Sequence, residues 1–176
     1  MTLEEKLFAH HRGKSVLLDS NLLLVFLTGS LSPRLFGQFK RVSTYTLDDY
    51  ELLVRLLSSF TTLLTTPHIL TEVCNLANSL PEWLRPDWNR NFATLIASQQ
   101  DTPGLRERWT PAIELAQKPE FIAFGITDAA LTELSSEALV VTEDYRLSGV
   151  LRSQGVPVLN FGDLRKLQQL IYGFHQ

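Results

Sequence analysis

The strongest constraint on the fold is a short apolar run, Val16-Leu17-Leu18, that ends abruptly in Asp19-Ser20-Asn21. An unbroken apolar run of this length is typical of a strand buried on both faces of a parallel sheet. It predicts that Asp19 lies at the carboxyl end of that strand, where open α/β sheets bind their ligands. Because a buried carboxylate is unfavourable without a cation, a hydrogen bond or a proton, Asp19 requires a partner. The alternative role for Asp19 is the N-cap of the next helix.

Short strands and helices alternate along the remainder of the chain. Apolar or β-branched runs at 61–65, 138–142 and 156–160 predict three more strands. Periodicity and capping residues predict helices at 2–11, 22–27, 47–57, 87–99, 111–118, 146–153 and 163–171, with another that begins at Pro67. This alternation predicts an α/β fold, a three-layer α/β/α sandwich around a central parallel sheet of four to five strands. We expect a single domain over 1–176, with a helical elaboration at about 81–118.

Composition and charge restrict the functional class of the protein and the cellular compartment expected for it. With 176 residues and a net charge of −3, the chain is not a globally basic nucleic-acid binder, although a local basic groove stays open. No apolar run is long enough to cross a bilayer, and the N-terminus does not resemble a secretion signal. Cys74 is the single cysteine, which excludes an internal disulfide and fits a reducing compartment. We therefore expect a cytoplasmic protein without a membrane span.

Three more acids are predicted at the same sheet edge as Asp19. Asp144 follows the strand at 138–142, while Glu72 and Asp128 lie in the early turns of helices that start near this edge. Four carboxylates cannot all stay ionised together without a compensating charge, and hard oxygen ligands suit Mg²⁺ or Mn²⁺. Such a site supplies hydroxide and stabilises in-line displacement at phosphorus. Taken alone, Glu72 could equally be an exposed residue near a helix N-terminus.

Two other polar groups have simpler explanations. The acids of Asp48-Asp49-Glu51 lie in the first turn of a predicted helix, where they oppose the helix dipole without any metal. A second group could form a stacking surface for single-stranded nucleic acid, or could divide into core aromatics and solvated arginines. Its members are Trp83, Trp88, Trp109, Arg85, Arg90, Arg106 and Arg108.

Four short motifs, taken in order, resemble those of the PIN-domain nucleases. They are Asp19-Ser20-Asn21 after the first strand, Glu72 in a helix after the second, Thr127-Asp128-Ala129 opening a later helix, and Thr142-Glu143-Asp144 after the next strand. Each motif is weak alone, but four in order on matching elements cover nearly the whole chain. The sequence thus resembles a PIN-domain nuclease whose region at 81–118 is enlarged.

This resemblance implies a divalent-metal-dependent endoribonuclease that hydrolyses RNA phosphodiester bonds. By resemblance, the four acids are the catalytic residues and hold Mg²⁺ or Mn²⁺. Asn21 and Thr142 would orient Asp19 and Asp144 or a metal-bound water. Arg146 is a candidate phosphate contact, with a surface salt bridge as the alternative. The extra acid Glu143 is expected to be solvated, with a peripheral metal ligand as the alternative.

The resemblance also suggests partners and competing functions. Many small PIN proteins are toxins that an antitoxin protein neutralises, and they often form homodimers, so RNA, an antitoxin and a second copy are the expected partners. A PIN-like scaffold that binds RNA or protein without cutting is the alternative, although retention of all four acids disfavours it. A phosphatase or receiver-like protein is disfavoured because Asp19-Ser20-Asn21 lacks a second aspartate and no lysine follows a late strand.

Overall fold

A five-stranded, all-parallel sheet lies at the centre of the protein in the computed structural model, which describes residues 3–98 and 103–173. The strands are β1 Ser15–Leu18, β2 Thr62–Thr65, β3 Gly104–Glu107, β4 Leu139–Thr142 and β5 Val158–Asn160. Their spatial order is β3-β2-β1-β4-β5. The flanking helices complete a three-layer α/β/α sandwich, which confirms the fold class predicted from the alternation of strands and helices.

Helices connect every pair of consecutive strands. The α-helices are α1 Leu3–His11, α2 Ser20–Leu31, α3 Leu47–Leu57, α4 Pro67–Ala77, α5 Arg85–Ala97, α6 Ala112–Leu115, α7 Pro119–Phe124, α8 Ile126–Leu134, α9 Tyr145–Ser153 and α10 Phe161–Gly173. Two 3₁₀ helices, η1 Pro33–Gly37 and η2 Lys40–Val42, lie between α2 and α3. None of the helices described combines the length and the apolar character that a membrane crossing requires.

The order of the strands identifies the gap between β1 and β4 as a distinct position at the carboxyl edge, the edge of the sheet where the strands end. After β1 the chain adds β2 and β3 on one side of it, and then adds β4 and β5 on the other side. The direction of winding therefore reverses between β1 and β4. Open α/β sheets bind ligands at such a reversal, since the loops that leave the two strands separate there.

The central strands are apolar because they are covered on both faces. Val16, Leu17, Val140 and Val141 are fully buried. Most of α2 is buried as well, and Leu22, Leu23, Leu24 and Leu27 belong to the core. Full burial on both faces explains the absence of polar alternation in these strands.

The region at 81–118, predicted as helical, contains a strand as well as α5 and α6. β3 pairs in parallel with β2, with Leu63 opposite Leu105 and Thr65 opposite Glu107. Only the first half of β3 is buried, and Arg106 and Glu107 are exposed. A four-residue edge strand with two charged residues has little apolar signal, so pairing with β2 determines its structure rather than its own sequence.

Candidate active site

Asp19 lies at the reversal between β1 and β4 and is 6% exposed. Its Oδ1 accepts a hydrogen bond of 2.8 Å from the backbone N–H of Leu22, so it also caps α2. The two roles considered for Asp19 are therefore compatible, since a strand-end acid can cap the helix that follows. Burial raises the pKa of Asp19 above its ordinary value, and the donors around it oppose that shift.

Thr142 connects Asp19 with the end of β4. The fully buried Thr142 Oγ1 donates to Asp19 Oδ2 at 2.5 Å and accepts from the backbone N–H of Asp144 at 3.0 Å. The backbone N–H of Glu143 donates to the same Asp19 oxygen at 3.1 Å. One hydroxyl thus fixes both the carboxylate that follows β1 and the turn that follows β4.

Asp144 is exposed at the start of α9. Its Oδ1 accepts from the backbone N–H groups of Arg146 at 2.7 Å and Leu147 at 3.0 Å, as an N-cap does. Its Oδ2 forms no hydrogen bond to any residue that the structure describes. One oxygen of Asp144 is therefore held by the helix, and the other is available to a ligand.

Glu72 reaches the same edge from α4. Its Oε2 accepts a hydrogen bond of 2.8 Å from Ser20 Oγ in the first turn of α2. Sequence analysis did not assign a role to Ser20. Its position directly after Asp19 was the available signal, because a side chain in the first turn of α2 faces the same edge.

Asp128 completes the group from the first turn of α8. Burial, together with the negative charges of Glu72, Asp19 and Asp144, raises the pKa of Asp128 to about 7. Burial is the largest cause of this shift, and the charges of Glu72, Asp19 and Asp144 add to it in that order. Asp128 therefore lies within electrostatic range of the other three acids, which come from different elements.

The charge of the four acids is not compensated within the described chain. Within residues 3–98 and 103–173, no lysine, arginine or histidine forms an ion pair with any of the four acids. No group of three or more histidine, cysteine, aspartate or glutamate side chains in these ranges could hold an ion by itself. Mg²⁺ commonly uses one or two carboxylates together with waters and substrate phosphate oxygens. Hard oxygen donors with uncompensated charge therefore fit a divalent cation that a phosphate substrate helps to bind.

The supporting residues predicted from sequence differ in position. Thr142 contacts Asp19, whereas Asn21 is exposed and its side chain has no hydrogen bond within the described residues. Arg146 is exposed, and its guanidinium lies over the ring of Phe124 with Cζ 4.8 Å from the ring centroid. The salt bridge considered for Arg146 is absent among the described residues, so its charge is available at the edge that carries Asp144.

The prediction that Glu143 is solvated is wrong. Its side chain accepts a hydrogen bond from the Tyr45 hydroxyl and lies 2.8 Å from Nη2 of Arg165. Arg165 Nε lies 2.8 Å from Oδ1 of Asp49, which also forms a capping box with Thr46. Asp49 therefore stabilises the start of α3 as predicted, but it belongs in addition to a partly buried group, here called the Arg165 cluster, of Arg165, Asp49, Glu143 and Tyr45.

The tryptophans and arginines of the 81–109 region do not form one surface. Trp88 is 1% exposed and packs on Phe92 in the core, whereas Trp83 and Trp109 are 71% and 77% exposed. Arg90 and Arg108 form ion pairs with Asp87 and Glu137. Arg85 donates to the backbone oxygens of Leu80 and Asn78. The region thus divides between core and surface, and a continuous arginine-rich stacking face does not form.

The fold and the candidate site together define a structural class. It is an open α/β sheet with four carboxylates at the point where the direction of winding reverses. No protein-family model matches the chain, and no curated protein matches it at a significant level. Its activity must therefore be inferred from the side chains at this edge.

Proposed function

We propose that the protein is a divalent-metal-dependent endoribonuclease of the PIN-domain type. The observation that carries the proposal is geometric: the Thr142 hydroxyl joins Asp19 to the turn of Asp144, and Ser20, the residue after Asp19, holds Glu72 at the same edge. The charges of these three acids also contribute to the raised pKa of Asp128, after the larger effect of burial. Four ionised acids without a cationic partner repel one another, and a bound cation would relieve that repulsion. The order of the four PIN-like motifs along the chain supports the same assignment.

Asp19, Glu72, Asp128 and Asp144 would hold Mg²⁺ or Mn²⁺. Such an ion, when bound, activates water and stabilises the charge that develops on a phosphodiester during hydrolysis. Asp19 is fixed by three donors, so its orientation is set before any ligand arrives. Ser20 orients Glu72, and Asp144 offers one free oxygen. Pre-oriented carboxylates reduce the reorganisation needed when substrate binds.

Arg146 would contact the scissile strand of the RNA. Its guanidinium is exposed, rests on Phe124, and lies two residues from Asp144. An arginine presents paired donors that match phosphate oxygens, and the N-terminus of α9 adds a favourable partial charge. A phosphate bound here would lie next to the carboxylates and would supply oxygen ligands to the same cation.

The direct test is cleavage of RNA. Purified protein is incubated with single-stranded and structured RNA in Mn²⁺, in Mg²⁺ and with chelator, beside Asp19→Asn and Asp128→Asn variants. Asp48→Asn is the matched control, because Asp48 is an exposed acid on α3 that belongs neither to the four acids nor to the Arg165 cluster. We expect metal-dependent cleavage that both site variants lose and the control retains.

Two other outcomes would change the assignment. Metal binding without cleavage of any RNA would indicate the alternative, a PIN-like scaffold that binds RNA or a protein partner. RNA cleavage that both variants, Asp19→Asn and Asp128→Asn, retain and that chelator does not stop would contradict the four-acid site itself.

A further inference from the structure

Trp109 is a large apolar side chain held out into solvent by a fixed backbone. It is 77% exposed, although both of its neighbours are anchored. The backbone N–H of Arg108 continues the β2–β3 ladder by donating to the carbonyl oxygen of Thr65 at 2.9 Å. The carbonyl oxygen of Thr110, which is 5% exposed, accepts from His68 Nε2 at 2.9 Å. Trp109 is thus presented to solvent from a segment whose position is set.

This segment is connected to Glu72, one of the four acids, through helix α4. His68, which contacts Thr110, and Glu72 are four residues apart on α4 and lie on one face of it. The Trp109 segment also follows β3 at the carboxyl edge, two strands from Asp19, or about 10 Å at the usual strand spacing. The Trp109 segment therefore follows the same edge of the sheet as Asp19, and one nucleic-acid strand can follow this edge past both.

A cavity of about 430 Å³ lies beside Trp109. Thr110, Pro111, Glu114 and Glu133 contribute to its wall together with the tryptophan. The hydroxyl of Thr110 is buried and has no hydrogen-bond partner among the residues described. A buried hydroxyl without a partner is unusual in a folded protein, and Thr110 is one of the residues that line this cavity.

The charges of the wall select the ligand. Arg108, the cation of the wall, is paired with Glu137 at 2.7 Å, and Glu133 is paired with Lys118. Glu114 is exposed, and its carboxylate has no ion pair or hydrogen bond within the described chain. The cavity therefore offers no free cation to a phosphate, but it offers a carboxylate acceptor and an aromatic face. An unpaired base with an exocyclic amino group satisfies both, since carboxylates accept hydrogen bonds from the amino group of cytosine.

We propose that this cavity is a base-binding subsite in which Trp109 stacks on an unpaired, amino-bearing base of single-stranded RNA. Glu114 accepts a hydrogen bond from the amino group of that base. The proposal rests on the proposed ribonuclease function and adds a preference to it: cytosine is bound in preference to uracil, which has an oxygen in place of the amino group.

The test is RNA binding in chelator, where cleavage does not interfere. Hexacytidylate and hexauridylate are titrated at low salt into wild-type protein and into Trp109→Ala, Trp83→Ala and Glu114→Gln variants. Trp83→Ala is the matched control, because Trp83 is 71% exposed and lies outside the cavity. Removing a stacked aromatic weakens binding about tenfold, so we expect that loss for hexacytidylate in Trp109→Ala and less than a twofold change in Trp83→Ala.

The second expected result is that Glu114→Gln loses most of the preference for hexacytidylate over hexauridylate. Tryptophan fluorescence of a Trp83→Phe variant, which leaves Trp109 as its exposed tryptophan, should be quenched by hexacytidylate. Equal effects of Trp109→Ala and Trp83→Ala, or no effect of either, would overturn the proposal. A change in self-association of Trp109→Ala with unchanged RNA binding would assign the surface to a second copy instead.

Failure of this proposal can be separated from failure of the proposed function. If the protein cleaves RNA in a metal-dependent way but Trp109→Ala does not change RNA binding, the proposed base-binding subsite is wrong and the proposed nuclease function stands. If RNA binding depends on Trp109 but the protein cleaves no RNA, the base-binding subsite stands and the proposed nuclease function is wrong.

Discussion

The hydroxyl of Thr142 donates to Oδ2 of Asp19 across the boundary between β4 and β1. The two residues are 123 positions apart in sequence; Asp19 directly follows β1, and Thr142 is the last residue of the buried strand β4. Because the same hydroxyl accepts from the N–H of Asp144, it fixes the positions of two carboxylates relative to each other. This bond therefore couples the stability of the sheet edge to the geometry of the candidate site.

Replacing Thr142 should show whether its hydroxyl orients Asp19 for metal binding or only stabilises the fold. Thr142→Val removes the donor to Asp19 and the acceptor for the N–H of Asp144, and we expect a loss of about 1–3 kcal/mol in the free energy of unfolding. Because a side chain that orients a metal ligand typically contributes 10- to 100-fold to metal affinity or activity, we expect a fall in Mn²⁺ affinity of about that size. Thr142→Ser keeps the hydroxyl and should recover most of the affinity. A Thr142→Val protein with wild-type Mn²⁺ affinity would show that the hydroxyl serves stability alone.

Asp128 should make metal-free protein less stable as the pH rises. Its pKa is raised from 3.8 to about 7 in the folded protein, so between about pH 4 and pH 7 the native state holds a proton that the unfolded chain has lost. The unfolding free energy therefore falls across this window. Asp128→Asn removes the penalty, and we expect it to be more stable than wild type at pH 8 by roughly 2 kcal/mol after allowance for solvent screening.

Urea unfolding in chelator at pH 4 and pH 8 measures this effect. The stabilisation by Asp128→Asn should largely vanish at pH 4, where the native aspartate is protonated as well. A variant that is equally stabilised at both pH values would indicate a packing effect rather than charge repulsion.

Divalent cations should stabilise the folded protein. Binding to the native state alone at about 100 times the Kd adds roughly 2.7 kcal/mol, which raises the Tm of a chain of this size by roughly 5–10 °C. The rise should be larger at pH 8 than at pH 5, because Asp128 must lose its proton to act as a ligand. Thermal unfolding with MnCl₂ measures it. Asp48→Asn should behave as wild type, and a full Tm rise in Asp19→Asn would argue against the site.

The Arg165 cluster should be important for stability. Asp49 and Glu143 have side chains that are 7% and 29% exposed, and Arg165 lies 2.8 Å from each of them. Arg165→Met leaves both acids without their cation, and breaking a buried pair in this way commonly costs about 3 kcal/mol. Lys166→Met on the same helix is the control, since its pair with Asp163 is exposed and should change stability by less than about 1 kcal/mol. Equal losses in the two variants, measured by urea unfolding, would contradict this assignment.

Local sequence determined the elements that carry a strong periodic or capping signal. The helix predicted at 47–57 is α3 Leu47–Leu57, with Thr46 as its cap, and the run that ends in Asp19 is β1. These elements were predictable because burial on both faces and capping each leave a signature within a few residues. β3 was missed because an edge strand of four residues depends on its partner rather than on its own composition.

The sequence by itself predicted which acids should meet, because carboxylates that follow buried strands or open the next helices of a parallel sheet lie at one edge. Only the tertiary structure decided how those acids are held and charged. Ser20 orients Glu72 over 52 residues, Tyr45 and Arg165 hold Glu143, and the pKa of Asp128 depends on acids from three other elements. Hydrogen bonds and charge interactions act over a few ångströms in space, so no spacing along the chain encodes them. Periodicity therefore determined the edge, and packing determined its chemistry.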